Sequence, residues 1–371
     1  MATGPHVPGL EFGPEARCVH VRFAVIGAGV IGLSTAAALL DSGAQITCYE
    51  AVGPMSQRSS GASRIFRLAH ALPELVDLAM AARRDYGEWE ARAGTDLLSG
   101  VGTVMSGGDL TQWAAAMSEA GAHFEVVDPQ VGGRDLPVKS LTGPVLIDSG
   151  GGVIDARRTG EFLVDRVGRA LVRDRVRELE PAGFGVRIRS DAGWESYDAA
   201  VIVAGSQTGA LGAQVGIPAP TTFAHHVRFT FALHDSTARP PCLIDRSEAW
   251  RSGFTTYQHL VAPGRWAVGA HLPLEQIHAE LGREAVIDTS RQLAVEYVRQ
   301  NLRNVGDEPL EELYCDIIEG WGDGFAVMRN GGFLALYGDN LFKLAPILGR
   351  ILGRATLSGG TPASVGLPAV A

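Results

Sequence analysis

Hydrophobic positions first become regular at Phe23-Ala24-Val25-Ile26, a short apolar run that stops at Gly27. Residues 33–40 predict an apolar helix closed near Gly43, and residues 44–50 read as a second strand. Strand, tight turn, helix and strand within about thirty residues make the smallest parallel crossover unit. A second helix is predicted from Pro73 to about Arg92. Proline suits its first turn, and Leu75, Leu78, Ala82, Tyr86 and Trp89 recur at helical spacing. Gly94 stands where a helix commonly ends.

Strand signals then dominate. Residues 102–105 and 124–127 are short candidates in a glycine-rich stretch, and residues 185–190 alternate. Residues 198–204 are continuously apolar, as a buried parallel strand would be. Phe223–Leu233 alternates apolar and polar residues, which predicts an antiparallel strand with one covered face. Arg265–His271 is another strand candidate. Helices are predicted over residues 156–169, 289–302 and about 346–355. Before the last lie a strand at 333–337 and a loop at 338–343. No internal repeat is visible.

Composition narrows the class. Of 371 residues, 46% are hydrophobic and 20% charged, which fits a folded globular chain with ample core. A net charge of −9 disfavours nucleic acid and anionic membrane surfaces as partners. No apolar run reaches the length of a membrane span. Cys18, Cys48, Cys242 and Cys315 form no C-x-x-C pair, so neither a disulfide framework nor a zinc site is expected. A reducing, cytoplasmic setting follows, and residues 1–20 read as a flexible tail rather than a signal peptide. Among the 32 basic residues only Lys139 and Lys343 are lysines, which draws attention to each.

The chemistry begins at Gly27, Gly29 and Gly32, a G-x-G-x-x-G turn between strand and helix. The first glycine permits the tight turn, the second lets a pyrophosphate approach the backbone, and the third lets helix and strand pack closely. The helix N-terminus then offers free N–H groups to phosphates. Glu50, 23 residues beyond Gly27, ends the second strand, where an acidic residue accepts hydrogen bonds from an adenosine ribose. The pattern predicts a dinucleotide and leaves FAD and NAD(P) open. The strand at 198–204 returns some 150 residues later, so the nucleotide domain is interrupted and resumed, which suits FAD.

Three further stretches give the chain a resemblance. They are Gly61-Ala62-Ser63-Arg64-Ile65-Phe66-Arg67, Tyr314-Cys315 ten residues before Phe325, and Phe342-Lys343 before the C-terminal helix. With the glycine turn they resemble the D-amino-acid-oxidase-like flavoproteins, and more closely the monomeric sarcosine oxidase and N-methyltryptophan oxidase group, over residues 23 to 355. The implied fold is α/β, a Rossmann-like FAD-binding domain interleaved with an α+β substrate domain built on a mostly antiparallel sheet. The expected division is a tail at 1–20, an FAD-binding domain from 21–100, 150–215 and 320–357, a substrate domain from 101–149 and 216–319, and a loose tail at 358–371.

The resemblance implies residue roles. Cys315 matches the cysteine that carries FAD through an 8α thioether, which requires an accessible, partly deprotonated thiol. Arg67 and Lys343 match a cation pair that holds the substrate carboxylate. Ser63, Arg64 and Phe342 match positions near the flavin, and His271 an active-site histidine. The helix after Lys343 is implied to point its N-terminus at the flavin pyrimidine ring. Three places depart from the family. Ala267 stands where the oxidases place an oxygen-activating lysine, with Arg265 nearby. Ser252-Gly253 replaces a tyrosine, and Asn340 beside Asp339 replaces a histidine. Trp321, in the stretch after Cys315, is expected either to line the pocket or to be plain core.

The expected activity is FAD-dependent oxidation of the C–N bond of a carboxylate-bearing secondary amine, amino acid or cyclic imino acid to an imine. Molecular oxygen or another electron acceptor is the second partner, and no metal is expected. The alternatives are a flavin-dependent amine dehydrogenase, a non-catalytic flavin-binding scaffold, and an NAD-dependent dehydrogenase that would leave Cys315 unexplained.

Overall fold

A computed structural model describes residues 21–219, 222–318 and 321–367. Cys18 and the expected tail at 1–20 lie outside the described residues. The apolar run at the start forms the Arg22–Ile26 strand, the centre of a six-stranded sheet. Gln45–Glu50 pairs parallel to it on one side and Ala199–Ile202 on the other. Leu171–Arg173 and Phe333–Gly338 extend the sheet in parallel, and Phe325–Asn330 closes one edge antiparallel. The Val30–Asp41 helix is apolar nearly all round because the C-terminal helix Ala345–Ser358 covers it.

The strand order reverses direction between Arg22–Ile26 and Ala199–Ile202. Ligands of open α/β sheets bind at such a switch point, outside the carboxyl ends of the strands. Gly27 stands at that place.

An eight-stranded sheet uses the intervening chain. Its order is Val305–Ile318, Phe223–Leu233, Arg265–His271, Thr255–Ala262, Cys242–Arg246, Thr103–Gly107, Val145–Asp148 and Glu125–Val127. Every pairing is antiparallel except Cys242–Arg246 with Thr103–Gly107. The protein is thus α/β with a parallel-centred sheet interleaved with a mostly antiparallel one. A two-stranded ribbon, Ser63–Phe66 with Gly152–Asp155, carries the Ser63-Arg64 segment.

The helix predicted from Pro73 runs to Ala93, with Gly94 in the left-handed region at φ 66°. Two expectations need correction. Residues 338–343 are not simply a loop, since Leu341–Leu344 is a 3-10 turn leading into the last helix. The chain after Ser358 is not loose through the described residues. Phe325 and Val365 exchange both backbone hydrogen bonds, and Ser364 Oγ accepts from the Val327 N–H. Among the described residues, no helix is long and apolar enough to cross a membrane.

Candidate active site

The glycine turn is built as its sequence requires. Gly27 has φ 107°, and a Cβ there would lie 2.6 Å from the Val203 carbonyl oxygen. A Cβ on Gly32 would lie 1.8 Å from the Gly27 carbonyl oxygen, so helix and turn touch through that glycine. Gly29 precedes the helix without capping it through a side chain. The Val30 N–H is taken by Ser59 Oγ at 3.0 Å. Glu50 Oε2 accepts from the Ala28 N–H at 2.9 Å, and Oε1 accepts from the Val52 N–H at 2.9 Å. Oε1 also accepts from the Gly53 N–H at 3.3 Å, so the carboxylate braces the turn and Oε2 retains a lone pair for a ribose hydroxyl.

A second group lies on one face of the eight-stranded sheet. Side chains two apart share a face, and register aligns them across strands. His226 stands opposite Cys315, Arg228 opposite Leu313 and Gly269, Tyr257 opposite Gly269, and His259 opposite Ala267. The His226 ring lies 5.6 Å from Tyr257 and 5.4 Å from His271, centre to centre. Ser63 reaches this face from the ribbon, with its Oγ 2.9 Å from His259 Nε2.

The expected one covered face of Phe223–Leu233 is thereby corrected. Its polar alternate, His226, Arg228 and Thr230, is buried as well, at 6%, 5% and 3% exposure. The polar period therefore does not mark a solvent face. Arg265 shares the face but sits at its far end, paired with exposed Glu311. Ala267 is fully buried and offers no polar atom.

Cys315 is half-buried, with Sγ 3.5 Å from His226 Nδ1. Burial pushes its thiol above the ordinary value, while Arg64, Arg58 and Arg228 pull the other way. The residue is half-buried, and the lowered value expected of its thiol is not found. Arg64 donates to the carbonyls of Ser63, Arg58 and Ser60, and its guanidinium lies 5.4 Å from the centre of the Phe342 ring. Phe342 itself is buried, and its carbonyl accepts from Tyr86 Oη.

A third group surrounds a carboxylate that sequence reasoning missed. Arg67 and Lys343 are both buried, and both pair with Asp323. Arg67 Nη2 bonds Oδ2, and Lys343 Nζ lies 2.8 Å from Oδ1. His70 Nδ1 approaches the same Oδ2 at 3.4 Å. Burial lowers the Lys343 pKa to about 8 against the upward pull of Asp323. Asp323 is held well below its usual range by Arg67 and Lys343, despite burial acting the other way. His271, exposed at the end of its strand, feels the charges of this group. Crowding by protein atoms, then the charges of Arg246 and Arg67, hold its imidazole below the ordinary value. Only a lone acidic residue between two glycines, Gly322-Asp323-Gly324, signalled this position in the sequence.

Trp321 and the remaining departures are placed as follows. Trp321 packs its ring against Tyr337, 5.4 Å between centres. Asn340 is left-handed at φ 54° and donates to the Gly322 carbonyl. Asp339 pairs with Arg58. Gly253 is tied through its N–H to Glu248.

The FAD dependent oxidoreductase family, DAO, has a profile that matches residues 22–355. The chain belongs to this family. No curated protein matches it. Among solved structures it is similar to the open form of NikD, "an unusual amino acid oxidase essential for nikkomycin biosynthesis", at 19% identity and TM-score 0.78, covering 95% of this chain and 100% of that one. It is also similar to L-proline dehydrogenase from P. horikoshii at 13% identity and TM-score 0.73, with 92% and 94% covered. A third similarity is to glycine oxidase from Geobacillus kaustophilus at 16% identity and TM-score 0.73, with 93% and 96% covered.

This member of the DAO family is an FAD-dependent oxidoreductase. Its residues fit that cofactor. The glycine turn leaves no room for a Cβ at Gly27 or Gly32, and it lies at the switch point. On the sheet face, buried His226 Nε2, Arg228 Nε and His259 Nδ1 have no hydrogen-bond partner among the described residues. Buried polar atoms rarely go unpaired, so this face is built to meet further acceptors and donors.

Proposed function

We propose that the protein oxidises the C–N bond of a small carboxylate-bearing secondary amine, amino acid or cyclic imino acid to an imine, then passes the electrons to molecular oxygen or another acceptor. One observation carries this reading: a carboxylate already sits between Arg67 and Lys343. Asp323 fills a seat whose two cations suit a carboxylate in shape and charge. Arg246 adds a further positive influence on the same group. The positive excess favours an anionic substrate, whose carboxylate exchanges with that of Asp323.

FAD supplies the two-electron acceptor. The chain's residues supply binding and orientation. Arg67 and Lys343 hold the carboxylate, which fixes the neighbouring C–N bond relative to the sheet face. His271, kept neutral, offers a nitrogen to the N–H of an amine that binds uncharged. Cys315 stands beside His226 as the candidate covalent anchor of the flavin. In this reading the FAD-binding domain comprises 21–100, 150–215 and 320–357, and the substrate domain 101–149 and 216–319.

The test is ligand binding. Arg67→Met and Lys343→Met should each weaken benzoate binding, read from the flavin spectrum, about tenfold to hundredfold. Unchanged affinity in both variants would remove the carboxylate seat from the account.

A further inference from the structure

Among the described residues, Arg228 is a buried cation without a counter-ion. Its side chain is 5% exposed at the centre of the polar sheet face. Nη1 donates to the Ser63 carbonyl at 3.1 Å and lies 3.2 Å from His259 Nε2, while Nε has no partner among the described residues. Among the described residues, no carboxylate lies within ion-pair distance of it. Glu311 acts on it across the sheet but is paired with Arg265. Nearby Arg64 bonds only carbonyls and repels it.

A protein does not bury a guanidinium cheaply. An unpaired interior charge is strongly destabilising, and an orphaned donor adds to that. Such a group persists where a ligand completes it. The surrounding residues indicate which ligand. Arg228 lies two residues along the strand from His226, whose partner is Cys315, and it grips the backbone of Ser63. The whole surface is therefore the one the flavin reading assigns to the ring. His259 fixes the fork: its Nε2 contacts both Arg228 and Ser63, and its neutral ring, held well below the ordinary value by burial, adds no competing charge.

We propose that Arg228 is the cation that meets the bound flavin ring and stabilises negative charge there, with His259 as its positioning residue. The proposal rests on the reading that FAD occupies this face. It gives a role to a residue that neither the glycine turn nor the carboxylate seat uses. It also places positive charge on the strand beside Ala267, whose own side chain supplies none.

Sulfite provides a probe that needs no substrate. It adds through sulfur to ring N5; its electron pair forms the bond, nothing leaves, and the ring becomes anionic. Flavin-loaded wild type, Arg228→Lys and Arg228→Gln are titrated with sulfite and followed by loss of the flavin absorbance. Arg228→Gln should bind sulfite at least about tenfold more weakly than wild type, and Arg228→Lys should recover most of that loss. His259→Phe, which frees the fork, should weaken sulfite binding less than Arg228→Gln does. Equal sulfite affinity in Lys and Gln variants, with flavin bound in both, overturns the proposal and leaves the FAD reading standing. Wild-type protein that takes up no flavin overturns both. Should Arg228→Gln fail to load flavin while Arg228→Lys loads it, the charge requirement is met at the binding step, which supports the proposal.

Discussion

At the scale of single residues, the account turns on Asp323. In the proposed reading its carboxylate competes with that of the substrate for Arg67 and Lys343. Asp323→Asn should therefore tighten benzoate binding by about tenfold, because the ligand no longer displaces a charge-assisted contact. Isothermal titration in two buffers of different ionisation enthalpy would also show proton uptake, since Lys343 loses the partner that raises its pKa. Weaker binding would mean that Asp323 positions the cations instead of competing for them. In the unaltered protein Lys343 titrates at about 8. Its proton is present below that value, so carboxylate affinity should hold up to about pH 8 and decline above it. Flat affinity from pH 7 to 9.5 would assign the attraction to Arg67 alone. Cys315 makes a separate case. If it anchors the flavin, acid-precipitated wild type stays yellow after washing, whereas Cys315→Ala releases its FAD. A colourless wild-type pellet would make Cys315 a packed thiol.

At the scale of elements, the first crossover unit was legible because each part leaves a local mark: an apolar strand, three glycines, an apolar helix, an acidic strand end. Pro73 and Gly94 likewise mark the ends of a helix by their own backbone chemistry. Phe223–Leu233 shows what a local pattern cannot say. Alternation located the strand to the residue, yet nothing local states whether the polar face meets water or a cofactor. His226 and Arg228 were therefore invisible as site residues, and so was His259 on a neighbouring strand. The meeting of Arg67, Asp323 and Lys343 depends on contacts 256 and 20 residues apart. No spacing rule encodes such separations; the likeness to a family supplied Arg67 and Lys343, and Asp323 had no such pointer. A prediction at this scale concerns the turn. Gly32→Ala puts a methyl into the space of the Gly27 carbonyl, so FAD binding should fall by at least about tenfold with the fold retained by circular dichroism. Full FAD loading in that variant would remove the turn from the cofactor site.

At the scale of the whole molecule, the two sheets interleave so that the switch point, the ribbon and the polar sheet face are supplied by distant segments of one chain. Such a site stores cost in buried histidines. Burial holds His70 and His226 at about 3, and His259 well below its ordinary value. The unfolded chain binds these protons near 6.5, and the folded protein binds them only far lower. Their contribution to stability is thus complete above pH 6.5 and is lost as pH falls towards about 3. The urea midpoint of the flavin-free protein should fall steadily from pH 7 to 4.5, and His226→Gln should flatten that fall; a midpoint constant over this range would contradict the buried neutral rings. The central claim remains the oxidation of a carboxylate-bearing amine by bound FAD. Its most direct test is the flavin absorbance band under nitrogen, followed after mixing with N-methyl amino acids, proline and pipecolate, and with the same amines lacking the carboxylate. The account predicts bleaching by at least one carboxylate-bearing compound and none by its decarboxylated counterpart. Bleaching that ignores the carboxylate, or a flavin that no member of either set reduces, would contradict it.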